Sequence, residues 1–86
     1  MNVISLKEDA NIESRVRVVI IRTIGLSTEE SKGQLSRGMR GWDSLGHMRL
    51  LLEIEREFGI RFPVHAVAAL ESVSSIVNAI EAHTSS

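Results

Sequence analysis

Asp43-Ser44-Leu45-Gly46-His47-Met48-Arg49-Leu50-Leu51-Leu52-Glu53-Ile54-Glu55-Arg56-Glu57-Phe58-Gly59 reads as one helix with both of its ends marked. Asp43 or Ser44 can cap the free N–H groups of the first turn, and Gly59 stands where a left-handed residue stops a helix. His47, Leu50, Leu51, Ile54 and Phe58 fall along one stripe, and Leu45, Met48, Leu52 and Glu55 along a second, rotated from the first. A helix with two apolar stripes can bury both, or bury one and offer the other to a partner. Periodicity does not rank these two outcomes.

Working outward, the stretch from about Glu8 to Ile24 repeats Ile12, Val16, Ile20 and Ile24 every four residues, which places them on one helical face. The run from Val16 to Ile21 also suits a strand by propensity. Length and the following Gly25 favour the helix. Between Leu26 and Asp43 no period holds, and Gly33, Gly38 and Gly41 punctuate a connection too long to be structureless. Leu35, Met39 and Trp42 are its candidate pins to the core, and a short helical turn fits Thr28–Ser31. Beyond Gly59, Pro63 makes Ile60–Phe62 extended or irregular and can open a short helix over Val64–Leu70. Ser72 then caps Val73–His83, where Val73, Ile76, Val77 and Ile80 share a face. The expected fold is all-α: a small four-helix bundle of three longer helices and one short, with a long loop between the first and second. Residues 1–10 read as a flexible segment, 11–83 as the domain and 84–86 as a frayed tail.

Composition narrows the function. At 86 residues the chain is one small domain, burying only about 60% of the surface its unfolded form exposes. A net charge of −1, with acidic and basic residues interspersed, lacks the basic excess that binding to nucleic acid requires. It also offers no polybasic segment for a membrane surface. There is no cysteine, so no disulfide and no thiolate metal site, and His47, His65 and His83 lack ligand spacing. Met1–Ala10 is unlike a secretory signal, and the apolar runs are too short to span a bilayer. A cytoplasmic monomer without bound metal is the expectation.

By position alone Ser44 reads as a helix cap. A helix N-terminus also favours an anion such as a phosphodiester, and the preceding loop would leave this hydroxyl exposed at a corner. Asp43, Ser44 and His47 contain the residue types of a triad. However, His47 lies one turn along the same helix, on the stripe that suits the core, rather than between nucleophile and acid. Asp-Ser-Leu also occurs in GDSL esterases, but Trp42 replaces their glycine and no α/β sheet is foreseen. The G-x-S-x-G elbow fails at the same residue.

Gly41-Trp42-Asp43-Ser44-Leu45, then Glu53-Ile54-Glu55-Arg56-Glu57-Phe58-Gly59-Ile60-Arg61-Phe62-Pro63, then Ser72-Val73 with Ile76, resembles the acyl carrier proteins over roughly Ile12 to His83. The resemblance implies a non-catalytic carrier whose Ser44 is esterified with 4′-phosphopantetheine from coenzyme A by a phosphopantetheinyl transferase, with Asp43 helping to present it. The thiol of the arm would carry acyl groups as thioesters to an acyl-loading enzyme and to downstream synthases or transferases. Leu45, Met48, Arg49, Leu52, Glu55 and Arg56 become partner-facing, and Ala66, Val67 and Leu70 flank an acyl cleft. The stripe from His47 to Phe58 becomes core. The sequence departs from fatty-acid carriers at Gly46, Arg49 and Arg56, which dilute the acidity of the second helix and weaken acidic-on-basic docking. That departure, with Trp42, implies polyketide or other specialised biosynthesis. An aminoacyl or peptidyl carrier, or an unmodified interaction module with the same fold, is the alternative.

Overall fold

The computed structural model describes residues 3–84, and side chains over residues 12–83. Helix α1 spans Val3–Ile24, α2 Thr28–Ser31, α3 Ser44–Phe58 and α4 Val73–Thr84, with a 3-10 helix over Val64–Ala69 between the last two. The start of α1 lies ahead of Glu8, where periodicity placed it. The side chains of residues 1–11, on which the expected flexible segment falls, lie outside the described residues, as do Ser85 and Ser86 of the tail. Among the described residues there is no strand, only an isolated bridge between Ser36 and Ser72. The fold is a small all-α bundle in which α1 packs against both α3 and α4.

Each long helix buries part of the stripe that its period marks, with Ile12, Ile24, Val73 and Val77 only partly buried, and α1 adds Val19, which lies off its stripe. Val16, Val19 and Ile20 come from α1, Leu50, Leu51 and Ile54 from α3, and Ile76 and Ile80 from α4. A buried aliphatic side chain of this size contributes about 1.5–3 kcal/mol, so these residues dominate the packing energy. Phe58, at the end of the α3 stripe, is only partly buried. The Arg15 guanidinium lies 4.4 Å from the centre of its ring and reaches Glu57 at 3.2 Å, tying α1 to the end of α3. The ends are capped as their residue types require. Gly25 and Gly59 take left-handed conformations after α1 and α3. At α4, the Ser72 and Ser75 hydroxyls each accept the other residue's backbone N–H, at 3.2 and 3.0 Å.

The long loop is held by its apolar residues and by backbone bonds. Leu35 and Trp42 are buried and Met39 is half-buried. The Trp42 N–H donates to the Met39 carbonyl at 2.9 Å, and the Gly38 N–H to the Trp42 carbonyl at 3.0 Å. Ser27 opens α2 with a reciprocal cap: its hydroxyl accepts the Glu30 N–H, and the Glu30 carboxylate accepts the Ser27 N–H. Arg40, just before the Gly41-Trp42 turn, grips the same carboxylate at 2.6 and 2.9 Å through two nitrogens. This bond first, and the Ser27 N–H second, pull the Glu30 pKa down to about 2.

A carboxylate depressed on folding stabilises above its ordinary range and loses that effect as pH falls through its folded value. Glu30→Gln should therefore be less stable than the wild type at neutral pH. The difference should shrink as pH falls from 4.5 towards 2. Thermal unfolding across that range checks this, and a difference independent of pH would refute it.

Candidate functional site

The site is built at the junction of the long loop with α3. Asp43, in extended conformation, is the N-cap of α3; its carboxylate accepts the Gly46 N–H at 2.9 Å and its carbonyl accepts the His47 N–H at 2.7 Å. Ser44, the first helical residue, is exposed, and its hydroxyl makes no hydrogen bond among the described residues. The N–H groups of Ser44 and Leu45 also lack protein partners there, as the first turn of a helix requires. Sequence reasoning left the N-cap open between Asp43 and Ser44. The structure assigns the cap to Asp43 and frees the Ser44 hydroxyl.

The loop reaches Ser44 by an unusually close approach. A methyl group on Gly46 would collide with the carbonyl oxygen of Gly41. Gly41 itself is left-handed, and a side chain there would meet Ile24 at the end of α1. Gly46, read from sequence as a loss of acidity, is thus a packing requirement of the loop.

Behind Ser44, His47 is buried and bonded at both ring nitrogens. The Trp42 Nε1–H donates to Nδ1 at 2.9 Å, and Nε2 lies 2.8 Å from the Val67 carbonyl. Only the neutral tautomer carrying hydrogen on Nε2 satisfies both contacts, because indole is solely a donor and a carbonyl solely an acceptor. One imidazole therefore links the loop, α3 and the 3-10 helix. With both ring nitrogens engaged by Trp42 and Val67, and the Asp43 carboxylate occupied as a cap, these three residues do not form a catalytic triad.

Ser44, His47, Met48, Val64, Val67 and Ala68, with Arg37, line an open groove of about 370 Å³. Of the three expected cleft residues, Val67 lines this groove, Ala66 is half-buried beside it in sequence, and Leu70 is buried in the core. Val64 and Ala68 take places that the sequence did not assign. A larger groove of about 410 Å³ lies between α1 and α4, away from Ser44. Its arginine, Arg17, is already committed to the carbonyls of Ser31 and Gly33.

The second stripe of α3 stays outside: Leu45, Met48 and Leu52 are 68%, 54% and 58% exposed. The charges of α3 do not pair at i, i+4 spacing. Glu53 meets Arg56 at 3.4 Å rather than Arg49, Glu55 accepts the Phe62 N–H at 2.7 Å, and Glu57 holds Arg15. Arg49 and Arg61 are exposed without an ion pair among the described residues. No group of three or more metal-ligating residues, and no helix long and apolar enough to cross a membrane, occurs among the described residues.

Comparison with known proteins decides the family. The profile described as "Phosphopantetheine attachment site" matches residues 14–80. A protein named acyl carrier protein from Rickettsia bellii (strain OSU 85-389) is 34% identical over 76 residues, covering 87% of this chain and 94% of the relative. Another of the same name, from Rickettsia bellii (strain RML369-C), is 36% identical over 87% of this chain and 88% of its own. The chain belongs to the acyl carrier protein family. Carriers of this family hold 4′-phosphopantetheine covalently and are themselves non-catalytic; the thiol of the bound group supplies the thioester chemistry.

The residues present suit such a group. A phosphodiester needs an accessible oxygen to form the ester and donors for its charge. The first turn of α3 offers a free hydroxyl and two free N–H groups. The groove beside them has a predominantly aliphatic wall for an uncharged chain. No basic atom of the described residues bonds the Ser44 hydroxyl.

Two substitutions test how the site is held. His47→Leu leaves the Trp42 N–H unpaired and strips the Val67 carbonyl of one of its two bonds, the Leu70 N–H remaining at 3.2 Å, and should cost about 1–3 kcal/mol in urea unfolding. Amide exchange over residues 64–69 should accelerate with it; a loss below about 0.5 kcal/mol would show that the bridge is dispensable. Gly46→Ala should gain about 1 kcal/mol of helix propensity but lose more to the Gly41 carbonyl, for a net loss of about 1 kcal/mol. A stabilised variant would refute the close approach.

Proposed function

We propose that Ser44 is the residue that carries the 4′-phosphopantetheine arm, and that the protein presents acyl thioesters to the enzymes of a polyketide or other specialised pathway in the cytoplasm, as a monomer. The carrier domain is taken as residues 11–83. The observation that carries the assignment is the free, exposed Ser44 hydroxyl on the first residue of α3, with Asp43 rather than Ser44 acting as the cap. A phosphopantetheinyl transferase would join the Ser44 oxygen to the pantetheine phosphate of coenzyme A, with the nucleotide bisphosphate leaving and the hydroxyl proton passing to that enzyme.

The surface of α3 supports the specialised pathway. Fatty-acid and specialised carriers share the name that the relatives bear, so the name does not separate them. Here Glu53, Glu55 and Glu57 are each engaged within the molecule, while Arg49 and Arg61 face solvent without an ion pair among the described residues. Docking would then rest on the ridge of Leu45, Met48 and Leu52, with Arg49 and Arg56 beside it, rather than on acidic steering. Glu55 contributes to that face mainly by holding Phe62 in place.

Incubation with coenzyme A and a promiscuous transferase should raise the intact mass by one phosphopantetheine unit in the wild type and leave Ser44→Ala unchanged. A folded wild type that gains no mass while a control carrier is modified would overturn the proposal, as would a gain in Ser44→Ala. Enzymes of fatty-acid elongation should extend the loaded protein at least about tenfold more slowly than a strongly acidic carrier. Equal rates would return it to fatty-acid synthesis.

A further inference from the structure

Arg37 is an arginine with no partner in a place where an arginine needs one. Its backbone is fixed: the N–H donates to the Glu71 carbonyl at 2.8 Å, and the adjacent Ser36 bridges Ser72 ahead of α4. The side chain is half-buried and lines the same groove as Ser44. The other half-buried arginines with described side chains are satisfied, Arg15 by Glu57 and Arg17 by two carbonyls. Arg37 has neither an ion pair nor a side-chain hydrogen bond among the described residues. No Asp or Glu lines its groove. A guanidinium stays charged at any pH the protein meets, so its partial desolvation is left without a compensating anion.

We infer that Arg37 binds the phosphodiester that Ser44 carries. This rests on the assignment of the arm to Ser44. A phosphodiester brings one negative charge into the groove, and the planar fork of a guanidinium matches two of its oxygens. Together with the free N–H groups of the first turn of α3, Arg37 encloses the phosphate from the loop side. Arg37 is a positioning residue: it directs the first segment of the arm along the wall of Met48, Val64 and Val67 rather than into solvent. The chain's own loop supplies the cation that its docking helix does not use.

The test compares apo and holo forms of the wild type, Arg37→Gln and Arg37→Lys, with loading on Ser44 verified by intact mass. In the wild type, the 31P resonance of the phosphodiester should move as salt is raised and screens the pair, and the holo form should unfold about 2–5 °C above the apo form. Arg37→Gln should load, lose the salt-dependent 31P shift and lose the holo stabilisation, while its apo form unfolds near the wild-type temperature. Arg37→Lys should retain part of both, as a point charge without the fork. A loaded wild type whose 31P resonance ignores salt, or a loaded Arg37→Gln with unchanged resonance and stabilisation, overturns the inference and leaves the Ser44 assignment standing. Failure of the wild type to load at Ser44 overturns both. Should Arg37→Gln not fold, the wild-type salt titration and Arg37→Lys decide the matter.

Discussion

The architecture of the site depends on one buried imidazole. His47 accepts from Trp42 in the loop and donates to Val67 in the 3-10 helix, while its own backbone belongs to the first turns of α3. The end of the loop and the start of α3, five residues apart at Trp42 and His47, meet at this ring with the 3-10 helix twenty residues on. An indole buried without a partner for its N–H would cost about 1–3 kcal/mol. The bridge therefore makes the burial of Trp42, and with it the closure of the loop, compatible with a dry core. Because Ser44 sits between Trp42 and His47, the same bridge fixes where its hydroxyl emerges.

From that constraint the division of α3 follows. A helix whose His47 points inward must also turn Leu50, Leu51 and Ile54 inward, since these lie three, four and seven residues on. Leu45, Met48 and Leu52 are then forced outward, whatever their hydrophobicity. The glutamates are distributed by the same rotation: Glu55 and Glu57 fall where they meet Phe62 and Arg15. The exposed ion pairs of Glu57 with Arg15 and of Glu53 with Arg56 contribute only about 0–1 kcal/mol each, so their consequence lies less in stability than in the acidity they offset along α3.

Much of this was legible in the sequence where a local rule applied. Gly25, Gly59 and Ser72 marked helix ends by their own conformational or hydrogen-bonding chemistry, and Leu35 and Trp42 were identifiable as pins because a polar loop has few other apolar residues. The two stripes of α3 were visible but not ranked by period, since either could face a core. The groove was legible only in part: Val64 and Ala68 line it beside Val67, while Leu70, which ends the 3-10 helix in a non-helical conformation, goes to the core. Arg37 left no signal, because the meaning of a loop arginine lies in what it fails to touch. Gly46 was read as missing charge. That it answers to the Gly41 carbonyl is a contact between backbone segments, and no pattern of side chains reports one.

That last contact connects the loop to the kind of partner the carrier can have. An acidic residue at position 46 would project from the first turn beside Ser44, where negative charge is favoured by the helix dipole and would attract a basic enzyme surface. Closure of the loop against α3 excludes any side chain there. The tight turn that presents Ser44 and the loss of an acidic flank are thus one structural choice. With no charge at the site's own edge, the docking proposed for Leu45, Met48 and Leu52 would rest on shape and apolar contact, and each encounter would be brief. Brief encounters suit a carrier. A tethered group is held at high effective concentration during each contact, so weak docking suffices for transfer and leaves the carrier free to reach the next enzyme.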